Sequence, residues 1–198
     1  MTDNLTEKLT KDILDITSAI SSGFDGIPLP VKICSNHFPR NILRMAGVKS
    51  PQHTDSGFGV VNVQYEMDDP DRNMWEAFFV HKNEDGSFSI ESVAFPKNYL
   101  RMDAKDPGSI KGRFGKVNCQ ADIGSYEKFN FHKVGTGPGG DFFSIESVAF
   151  PRNYLMLDGM MNPRISDSGF GAIGCQSYAS DWEMFYFKPF TGQVPGMR

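Results

Sequence analysis

The sequence predicts an all-β chain of twelve short antiparallel strands, arranged as three equivalent blocks closed about a pseudo-threefold axis. The first observation behind this is self-similarity. Phe88-Ser-Ile-Glu-Ser-Val-Ala-Phe-Pro96 returns letter for letter as Phe143 to Pro151, and a worn copy, Val31 to Pro39, precedes both. A repeat period of about fifty residues fixes an architecture before any local reading. The second is alternation: Val117 and Cys119 set against Lys116, Asn118 and Gln120 give the period-two pattern of a half-buried antiparallel strand. The third is closure, because so many short strands in an open sheet would leave edges that invite aggregation.

In chain order, the first element lies outside the repeat. Asn4 with Glu7 makes a capping box, and Leu5, Leu9, Ile13, Ile16 and Ile20 recur at helical spacing, which predicts an amphipathic helix over 5–20. Such a helix either covers a flank of the barrel or pairs with a second copy to make a homo-oligomer. Residues 23–30 read as a hinge. Thus 1–29 form helix and hinge, 30–190 one domain with repeats at 30–86, 87–140 and 141–190, and 191–198 a tail.

Each repeat then supplies four strand candidates. The Ile-Glu-Ser segment leads, followed by a Phe-Pro-basic-Asn corner into a second apolar strand: Arg40 to Met45, Lys97 to Met102 and Arg152 to Leu157. Proline presets one backbone angle at the corner, and asparagine tolerates the left-handed region. A Phe-Gly step opens the third strand at Phe58, Phe114 and Phe170. The fourth is an aromatic-Glu segment: Trp75 to His81, Tyr126 to His132 and Trp182 to Lys188. Seventeen phenylalanines recur at matched places, including Phe78, Phe129 and Phe185, and are expected to fill the core in threefold layers. Each contributes about 1.5–3 kcal/mol when fully buried.

These motifs resemble a β-trefoil over roughly residues 30–190. The Phe-x-x-Glu-Ser-x-x-Phe-Pro-x-x-Tyr-Leu strand pair is similar to that of interleukin-1 and fibroblast growth factor trefoils, fascin-like modules and arabinose-binding modules of the arabinofuranosidase type. The resemblance implies a recognition or scaffold role. The sugar-touching residues of those signatures are replaced here. Met45, Met102 and Leu157 stand where the arabinose modules carry histidine, and Trp75, Tyr126 and Trp182 where they carry aspartate. No Gln-x-Trp triplet of the ricin type occurs.

Composition excludes several classes. A net charge of −4 and a pI near 5.5 oppose nucleic-acid binding. No apolar run is long enough to span a bilayer. The N-terminus lacks a signal-peptide layout, so the chain is expected to stay in the cell or to be already processed. Cys34, Cys119 and Cys175 are an odd set, expected to be buried and unpaired. His37, His53, His81 and His132 are scattered, with His81 and His132 expected on a solvated edge. No nucleophile, phosphate-loop or metal motif is present, so neither catalysis nor a cofactor is expected. The acidic stretch 66–71 misses calcium-loop spacing and reads as a solvated loop.

Two places remain for binding. One is the long loop between second and third strands, with prolines in register at Pro51, Pro107 and Pro163 but differing polar residues: Lys49, Gln52, His53 and Asp55, then Lys105, Asp106, Ser109 and Lys111, then Asn162, Arg164 and Asp167. The other is the set of repeated polar residues. Glu76, Glu127 and Glu183 recur, with Arg44 and Arg101 available to pair with them. Asn41, Asn98 and Asn153 recur, as do Gln64, Gln120 and Gln176. A pocket per repeat would combine Asp103 or Asp158 with a nearby Gln and Tyr99 or Tyr154. The expected function is a non-catalytic, lectin-like module whose partner is a glycan. The alternative is a structural or protein-binding module that self-assembles or cross-links filaments.

Overall fold

A computed structural model of the chain describes residues 30–67, 74–105, 114–137 and 140–194. The helix expected over 5–20, and the oligomer contact built on it, lie outside those residues, as does most of the acidic stretch 66–71. Four strands fall in each repeat: β1 Val31–Ser35, β2 Asn41–Ala46, β3 Val60–Tyr65, β4 Phe78–Lys82; β5 Phe88–Ser92, β6 Tyr99–Asp103, β7 Phe114–Gln120, β8 Phe129–Gly137; β9 Gly140–Ser147, β10 Tyr154–Asp158, β11 Ala172–Gln176, β12 Phe185–Pro189.

Six of them close a ring. β1 pairs with β4, β4 with β5, β5 with β8, β8 with β9, β9 with β12, and β12 with β1, all antiparallel. The other six form the hairpins β2–β3, β6–β7 and β10–β11. These hairpins join one another through the Phe58–Cys119 and Val63–Phe170 bridges and the β11–β7 pairing, so they cap the barrel as a triangle.

The core repeats in triplets because the pleat sends matched residues inward. Ile33, Ile90 and Ile145, Leu43, Leu100 and Leu155, and Phe78, Phe129 and Phe185 are all fully buried. The second expected aromatic layer is thinner: Phe58 and Phe170 are only partly buried and pack against the cluster from outside. Cys34, Cys119 and Cys175 are buried and form no disulfide, and burial pushes each thiol up to about 12.

Three local readings change. The aromatic-Glu segment is not one strand. Met74–Glu76, Ser125–Glu127 and Asp181–Glu183 are single 3-10 turns that precede β4, β8 and β12. Where the turn's entry is described, the glutamate reaches back to cap it: Glu127 accepts from Gly124 N and Glu183 from Ser180 N, each at 2.8 Å.

At the Phe-Pro corner the basic residue, not asparagine, takes the left-handed conformation. Arg40, Lys97 and Arg152 have φ of 61°, 62° and 65°. The asparagine closes the turn behind it, with Asn41 N, Asn98 N and Asn153 N donating to Phe38 O, Phe95 O and Phe150 O. This is the type II geometry that demands a positive φ at its third residue.

The third change concerns His81 and His132, which are paired rather than merely solvated. Glu91 accepts from Lys97 N at 2.7 Å and meets His81 Nε2 at 2.6 Å; Glu146 does the same with Arg152 N and His132 Nε2, both at 2.6 Å. The third corner is rebuilt: Cys34 replaces the glutamate, Lys188 replaces the histidine, and Lys188 Nζ binds Glu66 at 2.7 Å.

Candidate functional site

Alternation along each cap hairpin turns one row of side chains away from the core. In the first repeat that row is Ile42, Arg44 and Ala46 opposite Gln64, Asn62 and Val60. In the second it is Tyr99, Arg101 and Asp103 opposite Gln120, Asn118 and Lys116. A loop from a neighbouring repeat folds over each row. Arg44 Nη1 donates to Ser168 O and Nη2 to Asp167 O, both at 3.2 Å, while Arg101 Nη2 donates to Asp55 O at 3.1 Å. Asn62 Nδ2 donates to Ser168 O and Asn118 Nδ2 to Ser56 O, each at 2.8 Å. Gln64 Nε2 donates to Ser166 O, and Gln120 Nε2 to Thr54 O. Seven backbone carbonyl contacts thus hold two loops by side chains from the next repeat.

Between loop and hairpin each seam leaves a cleft. The larger, about 420 Å³, is lined by Arg44, Gln64, Trp75, Glu76, Ile165 and Asp167. The smaller, about 260 Å³, is lined by Arg101, Gln120, Tyr126, Glu127, His53 and Asp55. The two are the same site in successive repeats. Arg44 lies over the Trp75 ring at 4.5 Å, and Arg101 over Tyr126 at 4.9 Å. Beneath, Arg44 Nε is 3.7 Å from Glu76 Oε1, and Arg101 Nε is 3.7 Å from Glu127 Oε1, with all four side chains buried. Burial drives the Glu76 carboxyl up to about 7 against the pull of Arg44, and it raises Glu127 likewise.

The third seam keeps Gln176, Trp182 and Glu183 but lacks the arginine and the asparagine. Met156 and Gly174 stand where the other repeats have Arg and Asn. Gln176 Nε2 donates to Met156 Sδ and to Glu183 Oε1. Trp182 packs against Phe38, ring centroids 5.5 Å apart, as Trp75 does against Phe95 at 5.2 Å and Tyr126 against Phe150 at 4.8 Å.

The repeated residues singled out from sequence divide. Gln64 and Gln120 line the two clefts; Gln176 does not. Asn41 and Asn98 are fully buried at their corners. Their amides are spent on backbone: Asn41 with Pro39 O and both polar atoms of Met160, Asn98 with Pro96 O and both of Val48. Asn153 donates to Phe150 O and Pro151 O. Tyr99 and Asp103 occupy opposite ends of β6, as Tyr154 and Asp158 do of β10, about 13 Å apart along a strand of that length. Asp103 is engaged by Arg101 Nη2 at 2.9 Å and Lys105 N at 3.1 Å. The sequence reading held Trp75 and Tyr126 only as replacements for a sugar-binding aspartate, and Asp55 and Asp167 only as members of loops whose polar residues differ. Their signal was available: Asp55-Ser-Gly-Phe-Gly59 recurs letter for letter as Asp167 to Gly171, whereas the second repeat has Lys111-Gly-Arg-Phe-Gly115.

A closed six-strand barrel capped by three hairpins, written as a fourfold strand unit in triplicate, decides the fold. The fold is a β-trefoil. No protein-family model matches the trefoil chain, and no curated protein matches it. Solved structures similar to this trefoil include a mosquitocidal holotoxin (12% identity, TM-score 0.55, 81% of this chain and 17% of that one). The Polyporus squamosus lectin, bound to the epitope Neu5Aca2-6Galb1-4GlcNAc, aligns at 13% identity and TM-score 0.53 over 81% of this chain and 48% of that one. The S. cerevisiae protein O-mannosyltransferase Pmt1-Pmt2 complex, bound to its sugar donor, aligns at 11% identity and TM-score 0.56 over 85% and 26%. The chain therefore spans well under two thirds of these structures' own lengths. Among the described residues, no helix is long and apolar enough to cross a membrane.

Proposed function

We propose that this trefoil is a non-catalytic carbohydrate-binding module with two working sites, the clefts at Trp75 and Tyr126. The observation that carries the reading is the duplicated set of aromatic ring, guanidinium, glutamine and loop aspartate around an open cleft, whose guanidinium gives way to Met156 in the third repeat while Gln176 and Trp182 remain. Sugars bind where an amphipathic ring offers an apolar face and fixed polar groups surround it. Trp75 is 41% exposed at the mouth of its cleft, an unusual position for so large an apolar side chain. The shared fold with the Polyporus squamosus lectin is compatible with this role, although a fold by itself does not assign one. Asp103, Asp158, Tyr99, Tyr154 and the corner asparagines are not ligand contacts in this proposal.

The experiment is a glycan array followed by titration calorimetry on wild type, Trp75→Ala, Tyr126→Ala and the double variant. Two sites per chain are expected for wild type, one for each single variant and none for the double. A blank array together with concentration-dependent light scattering would replace this reading with a self-assembling scaffold.

A further inference from the structure

Resting on the carbohydrate reading of the clefts, we infer that they select uncharged sugars and reject acidic ones, with Asp55 and Asp167 as the discriminating residues. The buried guanidiniums look at first like anion receptors. They are not available as such. Arg44 spends Nη1 on Asn62 Oδ1 and Ser168 O, spends Nη2 on Asp167 O, and holds Nε against Glu76. Arg101 spends Nη2 on Asp55 O and Asp103 Oδ2 and holds Nε against Glu127, while its Nη1 has no hydrogen-bond partner among the described residues but is buried out of reach of a ligand that leaves the side chain in place. A ligand carboxylate would have to displace these partners from a side chain that is only 3–4% exposed.

Charge adds to the exclusion. The first cleft sets one guanidinium against the carboxylates of Glu76 and Asp167. The second sets Arg101 against Glu127, Asp55 and Asp103, while His53 at its rim faces Asp122 at 3.4 Å. In each, the buried carboxylate already answers the arginine, so the exposed loop aspartate is surplus negative charge at the entrance. Its backbone carbonyl is the part that holds the arginine. The side chain is therefore free to vary without loosening the loop, and the second repeat's sequence has Lys111 at the matching position. Repelling the wrong partner is as effective a route to specificity as holding the right one.

The test compares matched glycans that differ only in a terminal sialic acid, uronate or sulfate. Binding is measured for wild type, Asp55→Asn, Asp167→Asn and the double variant at low and at physiological salt. At contact distance in high dielectric, one surplus carboxylate is worth roughly a fourfold change in affinity. Wild type should therefore prefer the neutral member of each pair by at least about that factor per site. The double variant should lose the preference while keeping its affinity for the neutral member, and added salt should shrink the difference. Equal or tighter binding of the acidic member by wild type overturns the inference, as does an unchanged ratio in the double variant. Neither result touches the carbohydrate reading. Absence of binding to every glycan ends both together.

Discussion

Asn118 of the second repeat and Gly57 of the first are fitted so closely that a Cβ built on Gly57 would lie 2.5 Å from Asn118 Oδ1. The same contact joins Asn62 and Gly169, also at 2.5 Å, and both glycines have positive φ. Alanine at either place therefore meets two penalties, the left-handed backbone and a collision with an asparagine side-chain amide. Gly86 isolates the first, because its φ is 83° and nothing lies near its missing Cβ. Gly86→Ala should cost about 1–2 kcal/mol. Gly57→Ala and Gly169→Ala should each cost clearly more, as read by urea unfolding. Equal costs at all three positions would remove the latch from the account.

The burial of Glu76, against the opposing pull of Arg44, makes stability fall as pH rises. Burial lifts Glu76 to about 7 in the folded chain from an ordinary value of 4.5. The folded state thus holds more protons than the unfolded one between those values. The stabilisation is complete below 4.5 and is lost as pH rises through about 7, to an extent of up to about 3 kcal/mol. Glu76→Gln should flatten the unfolding free energy across that window. A slope unchanged by the substitution would contradict the assignment.

Glu91 acts in the opposite sense. Burial alone would raise its carboxyl, but the hydrogen bonds from His81 and Lys97 N outweigh burial and hold it below 4.5. Its stabilisation is present above that value and disappears as pH falls through the depressed one. Glu91→Gln keeps an acceptor for Lys97 N and removes the charge. Its acid-limb unfolding curve should be shallower than that of wild type below about pH 4.5, measured by circular dichroism.

The corners at Lys97 and Arg152 hold a side-chain-bearing residue in the region that glycine and asparagine occupy at least cost. Lys97→Asn and Arg152→Asn should stabilise the fold by about 1 kcal/mol each. A gain in thermal midpoint for both is the expected reading. A loss would mean that the basic side chains contribute more than their backbone costs.

The triplication, the strands and most of the core could be read from the chain because they follow from period-two alternation and from repetition, which are properties of single segments. The site resisted for a reason visible in Asp55 and Arg101. They belong to different repeats, 46 residues apart, and meet only because the loop of one repeat lies on the hairpin of the next. Comparing Asp55 with Lys111 and Asp167 within equivalent loops made the loops look unrelated. Pairing each described loop with the hairpin it covers would have matched Asp with Arg twice, Asp55 with Arg101 and Asp167 with Arg44. The corner failed differently: Asn98 has the composition expected of a left-handed residue, but closing the turn behind Pro96 needs its amide, which moves the positive φ onto Lys97.

The pairing of β1 with β12 has a practical corollary. Val31 stands opposite Pro189, and Phe190 N donates to Pro30 O at 2.8 Å, so the polypeptide enters and leaves the barrel at one point. A body with adjacent entry and exit can be spliced into a surface loop of an unrelated host, or reopened at the exposed Asn83–Gly86 tip with its old ends fused, without any strand having to change its neighbours.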